Sequence, residues 1–149
     1  MSKFIKSKED GELLMTVKDF KPNGGTQIVV KKLDPANDGF QKWFFKRQGS
    51  GYVSIEAEST PPLAMSIDEK PATNVKVINK QWTGSDYQLW KIEERGEGYS
   101  IISPKLNKGG ETFVMTLENQ STVPNTNVVL VQFQAGIPTK AQLWKADTN

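Results

Sequence analysis

Apolar residues in this chain come in short runs rather than long faces. Ile28-Val29-Val30, Val75-Lys76-Val77-Ile78 and Val128-Val129-Leu130-Val131 are brief and rich in β-branched side chains. Gly, Pro and Asn clusters punctuate them at intervals of roughly eight to twelve residues, the spacing of short strands joined by turns. Asp10-Gly11, Asn23-Gly24 and Asp38-Gly39 are hairpin or tight-turn signals, because glycine supplies a positive φ at little cost. No stretch sustains the roughly 3.6-residue apolar period of an amphipathic helix. The pattern predicts an all-β chain.

The runs repeat. Met15-Thr16-Val17, Met65-Ser66-Ile67 and Met115-Thr116-Leu117 start fifty residues apart both times. A turn-forming stretch follows each, at Lys21-Pro22-Asn23-Gly24-Gly25, Glu69-Lys70-Pro71-Ala72 and Val123-Pro124-Asn125. A threonine and a β-rich run come next, beginning at Thr26, Thr73 and Thr126. Every copy then ends on Gln-x-Trp: Gln41 and Trp43, Gln88 and Trp90, Gln142 and Trp144. A further pair agrees, with Gly-x-Gly-Tyr at Gly49 to Tyr52 and at Gly96 to Tyr99, at the same distance from the preceding tryptophan. We therefore expect one domain over 1–149, with repeats over approximately 1–48, 49–95 and 96–149, each of about four strands. Three such units suggest a closed barrel capped at one end by hairpins, since closure removes open sheet edges. The recurring tryptophans then belong to the core, where Trp→Ala is expected to cost about 3–5 kcal/mol.

Composition narrows the chemistry. With no Cys and no His, the chain has no disulfide framework, no thiolate metal site and no imidazole base. A nucleophilic serine has no imidazole partner, and the acidic residues are scattered, so no enzymatic activity, cofactor or metal is expected. Gly24-Gly25-Thr26 lacks the lysine of a phosphate-binding loop. The formal net charge is +2, and the densest basic spots, Lys31-Lys32 and Lys46-Arg47, are two residues long. That is no clustered basic face, and no nucleic-acid partner is expected. No window approaches a membrane span of about 18 apolar residues. The first ten residues lack the apolar segment of a signal peptide, which makes a cytoplasmic protein the expectation, acting outside only after release. Asn119-Gln120-Ser121 matches a glycosylation sequon, which carries weight only in a secreted chain.

Gln-x-Trp closing each of three units of this length resembles the ricin-B-type β-trefoil lectins, over the whole chain from Phe4 to Trp144. The resemblance implies a β-trefoil with shallow sugar pockets, up to one per repeat, commonly for galactose or N-acetylgalactosamine. In that family an aspartate, a stacking aromatic and an asparagine beside the Gln-x-Trp glutamine bind the sugar. Here the aspartate position falls on Thr16, Ser66 and Thr116, the stacking position on Lys31, Ile78 and Val131, and the asparagine position on Phe40, Tyr87 and Ala141. The family's sugar-binding set is thus replaced in every copy.

Other residues near the same places supply the needed chemistry, because a sugar asks for an aromatic platform and for charged or amide acceptors. In the first copy these are Asp19, Asn23 and Asp38; in the second, Asp68, Trp82 and Asp86; in the third, Asn119, Asn127, Phe133 and Gln134. The expected partners are glycans or glycoproteins. The alternative is a protein-binding β-trefoil such as a protease inhibitor, with Ser59-Thr60-Pro61-Pro62 or Ala135-Gly136-Ile137-Pro138-Thr139-Lys140 as the inserting loop, since proline lowers the ordering cost.

Overall fold

The computed structural model describes residues 1–59, 63–134 and 136–148. Among them are twelve strands: β1 (Phe4–Ser7), β2 (Leu14–Val17), β3 (Thr26–Lys31), β4 (Trp43–Arg47), β5 (Val53–Ala57), β6 (Leu63–Ser66), β7 (Ile78–Gln81), β8 (Trp90–Glu94), β9 (Ser100–Pro104), β10 (Phe113–Leu117), β11 (Val128–Gln132) and β12 (Trp144–Asp147). The only helical elements among the described residues are short 3-10 turns, and none is long and apolar enough to cross a membrane. Thr60, Pro61, Pro62 and Ala135, from the two loops proposed as inserts, lie outside the described residues.

Six strands close a barrel. β4 pairs with β5, β5 with β8, β8 with β9, β9 with β12, and β12 with β1, all antiparallel. Lys3, just ahead of β1, exchanges backbone hydrogen bonds of 2.9 and 2.8 Å with Trp43 at the start of β4, and the circle is complete. The other six strands form the hairpins β2/β3, β6/β7 and β10/β11 that cap one end. This is the β-trefoil.

The two sequence landmarks of the repeat prove to be one contact. Trp43, Trp90 and Trp144 are 0, 0 and 1% exposed. Each indole N–H donates to a backbone carbonyl at 3.0 Å, that of Met15, Met65 and Met115 respectively. A buried indole needs such a partner. The tryptophan that ends each copy is thus pinned to the methionine in the first strand of its hairpin, and both side chains fill the core shared by barrel and cap.

The hairpins are linked in a ring. The Gly25 amide donates to the Asn79 carbonyl at 2.6 Å, Asn74 to Leu130 at 2.7 Å, and Asn125 to Val30 at 2.9 Å. All three donors have positive φ, at 86°, 73° and 72°, a conformation that glycine and asparagine adopt most readily.

The ladders correct two points of register. Met15 pairs with Val30, Met65 with Asn79 and Met115 with Leu130. In the ring, Thr26 and Thr126 each follow a donor, and the residue in that place in the second copy is Val75, not Thr73. Likewise Leu14 pairs with Lys31, Ala64 with Lys80 and Val114 with Val131, so the expected stacking position in the second copy is Lys80 rather than Ile78. The link from β7 to its tryptophan is shorter than in the other copies, and counting back from Trp90 hides that. Asp38-Gly39, a turn signal, sits inside the 3-10 turn Pro35–Phe40, where a Cβ on Gly39 would overlap the Ser59 side chain.

Candidate functional site

After each hairpin the chain passes through a 3-10 turn to the Gln-x-Trp glutamine, and these glutamines face inward. Gln41 accepts from the Asp34 amide at 2.9 Å and donates to the Lys32 carbonyl at 2.9 Å and the Thr16 hydroxyl at 3.2 Å. Gln88 accepts from the amide and hydroxyl of Thr83 at 2.9 and 3.1 Å and donates to the Gln81 carbonyl at 2.8 Å. Gln142 accepts from the Thr139 amide at 3.1 Å. Each side chain ties down the loop that follows its hairpin, a structural role. The hydroxyls that replace the family's aspartate are also buried and turned to backbone: Thr16 donates to the Leu14 carbonyl at 2.8 Å and Thr116 to that of Val114 at 3.0 Å.

Beside the third hairpin lies a depression of about 470 Å³. Thr73, Asn74, Asn119, Gln120, Gln132 and Gln134 line it together with apolar groups that include Val131 and Ile137, and no lining residue is charged. None of those six polar side chains has a hydrogen-bond partner among the described residues. Asn119 and Gln120 hold φ of 54° and 56°, so the 3-10 turn Glu118–Gln120 is kinked and brings both to one rim. Of the sequence-derived set, Asn119 and Gln134 come together here. Asn127 does not: its amide nitrogen donates to the Glu118 carboxylate at 3.2 Å, and its oxygen is buried. Phe133 is half-buried beneath Arg95, whose guanidinium stands 5.5 Å from the ring centre.

A second depression, of about 390 Å³, occupies the matching place beside β6/β7 and includes Ser66, Asp68, Lys80, Gln81, Ser85 and Tyr87 in its lining. Lys80 reaches over to the Asp68 carboxylate, and both are exposed. Trp82 is half-buried in the loop after β7 and is not part of this lining. Asp86 pairs with Lys105 at 3.1 Å, also outside it. Of Asp68, Trp82 and Asp86, the structure therefore brings only Asp68 to the depression, and the half-exposed ring there belongs to Tyr87.

The first hairpin differs. Phe20 has the place and the backbone of Gln120, with φ of 52° against 56°, following Asp19 at 55° as Gln120 follows Asn119. Its ring packs on Phe40 at 5.9 Å between centroids, and the Lys31 ammonium lies 4.8 Å from its centre. Aromatic rings and an alkyl-ammonium thus fill the space that is open beside the third hairpin. Asp19 and Asn23 are exposed around it, and Asp38 is held by Lys42 at 3.2 Å.

Reading each copy by itself missed Thr73, Asn74, Gln120 and Gln132. Thr73 and Asn74 belong to the second hairpin yet line the depression of the third, a neighbour relation that spacing along one repeat does not encode. Gln120 was detectable as the residue after Asn119, and Lys80 only from the ladder.

The model of the ricin-type β-trefoil lectin domain-like family matches residues 41–132. The sequence has no match among curated proteins. Among solved structures the chain is similar to ThreeFoil, a designed three-fold symmetric protein, with a TM-score of 0.85 at 20% identity, covering 98% of this chain and 97% of that one. It is also similar to the Macrolepiota procera ricin B-like lectin in complex with lactose, with a TM-score of 0.76 at 18% identity over 100 and 96% of the two chains. A third likeness is to an exo-β-1,3-galactanase from Clostridium thermocellum, with a TM-score of 0.85 at 22% identity, where 99% of this chain corresponds to 30% of the enzyme. At such identities the likenesses speak to the fold. The family model spans more than half of the sequence, and the chain belongs to the ricin-type β-trefoil lectin-like family.

Proposed function

We propose that this protein binds carbohydrate without catalysing a reaction on it, at the depressions beside the second and third hairpins. The observation that carries the reading is the neutral rim of the third depression, where six amide and hydroxyl side chains are unengaged. Amides both donate and accept, which matches the hydroxyls of a sugar. Tyr87 and Asp68 add a ring and a carboxylate in the second. The lactose complex of the Macrolepiota procera lectin supports galactosides as the first ligands to try. Loss of the family's aspartate in every copy supports a different set of contacts to the hydroxyls. A glycan array with free-sugar competition tests this. Selective, competable binding is expected, with Asn119→Gly and Gln134→Ala each weakening it about tenfold through lost hydrogen bonds. Because no charged residue lines the third site, binding there should hardly change between about 0.05 and 0.5 M salt. A blank array at high protein concentration would sink the proposal.

One observation favours a second reading, protein binding. Ile137 is 96% exposed, an apolar tip in a loop with Pro138 beside it. Inhibition of a protease that disappears with Ile137→Glu would establish that reading; no inhibition of serine, cysteine or aspartic proteases would remove it.

A further inference from the structure

A third hollow borders both depressions. The depression beside the second hairpin shares Asp68 with this linking hollow of about 340 Å³, and the hollow shares Thr73 and Asn74 with the depression beside the third. Each is within the size range of small-molecule sites, about 300–1,000 Å³. The crossing point is the turn of the second hairpin, and Thr73 and Asn74 are exposed there with their side chains unengaged. The matching turns of the other hairpins differ. The first has Gly24-Gly25, with no side chains to offer, and the third has Pro124-Asn125. In the third turn the hydroxyl beside Asn125, that of Thr126, donates to the Val123 carbonyl at 2.6 Å, whereas Thr73 and Asn74 present a free hydroxyl and amide side by side in the turn between the two open depressions. The first hairpin, filled by Phe20 and Phe40, has no part in this path.

We propose that the ligand is a linear, neutral oligosaccharide laid over the turn at Thr73 and Asn74, with one end beside Asp68 and Tyr87 and the other beside Asn119 and Gln134. The proposal rests on the carbohydrate-binding reading and adds the length and path of the ligand. Charges along the path come in both signs, Asp68 with Lys80 at one end and Glu69 with Lys76 in the linking hollow, which favours a chain without charges of its own. One ligand touching both ends gains through effective concentration: once the first end is seated, the second binds as an intramolecular event. Affinity should therefore climb with chain length and level off when both ends are filled.

Isothermal titration calorimetry with β-1,3- and β-1,4-linked galactose, glucose and N-acetylglucosamine oligomers of one to six units tests this. In at least one series the hexamer is expected to bind one per protein and at least tenfold more tightly than the dimer. Asp68→Ala and Asn119→Gly stand at opposite ends, and both residues are exposed. Glycine keeps the positive φ at 119, and melting curves verify both folds. Each variant should weaken that single hexamer event severalfold. Two equivalents of short sugar at an affinity indifferent to length, with each variant deleting one equivalent and leaving the other at full strength, would overturn the single path while carbohydrate binding stands. Silence from every series would take both readings down together.

Discussion

Asn79 lies at full burial in β7, paired with Met65, where the other two hairpins place Val30 and Leu130 opposite their methionines. Neither its amide nitrogen nor its amide oxygen meets a hydrogen-bond partner among the described residues. Leaving a buried polar group unsatisfied costs about 1–3 kcal/mol. Asn79→Leu, which copies the third hairpin and keeps the same side-chain branching, is expected to stabilise the protein. For a domain of this size each kcal/mol is about 2–4 °C, so calorimetry should show a melting temperature several degrees higher. A lower one would mean that solution supplies the amide with a partner. At this scale the sequence was read correctly at the tryptophans, whose recurrence beside Gln41, Gln88 and Gln142 marked them as core. It was opaque at Asn79, because a polar residue ending the run Val75-Lys76-Val77-Ile78 looks like the exit from a strand rather than part of its buried face.

The first and third hairpins put one backbone device to two uses. Their 3-10 turns share the same pair of left-handed residues, yet one ends on Phe20 and the other on Gln120. Phe20→Ala removes a ring that packs on Phe40 and lies under Lys31, and is expected to cost about 1–3 kcal/mol in denaturant melts while sugar binding stays intact. Gln120→Ala should do the opposite: stability within about 0.5 kcal/mol of the parent, as for an exposed side chain, and weaker glycan binding. If Phe20→Ala melted like the parent, its ring would not be the packing element described. The existence of three hairpins was legible from the spaced methionine runs, and the register of the second was not. Thr73 stands as far from Trp90 as Thr26 does from Trp43, and only the hydrogen-bond ring shows that the short link after β7 produces the coincidence. Of the candidate residues that the sequence singles out, the fold places Asp68, Asn119 and Gln134 at the depressions and Trp82, Asp86 and Asn127 outside them, a division that depends on neighbours the sequence does not specify.

The barrel depends on its first strand. β1 pairs with β12 from Phe4 opposite Asp147 to Ser7 opposite Trp144, and Lys3 joins it to β4. Removing residues 1–7 should unzip two seams at once and bare the edges of β4 and β12, a known hazard for aggregation. The truncated protein is expected to lose its cooperative thermal transition by circular dichroism. A sharp transition within a few degrees of the parent would show that closure contributes little. The count of strands and the closed barrel with its cap were legible because three imperfect copies leave few ways to bury three tryptophans together. Which hollow would face which neighbour was not, since that is fixed only when the copies meet.

The ring of turns also sets an order of events at the ribosome. Asn74 must find Leu130 and Val30 must receive Asn125, so the first two hairpins leave the exit tunnel with partners not yet made. β1 waits longer still, for β12 near the other end of the chain. Pairings this distant form slowly, because loop closure comes before its reward. The nascent protein therefore carries open strand edges until β12 has been synthesised and can reach β1, and the domain closes as a whole rather than hairpin by hairpin.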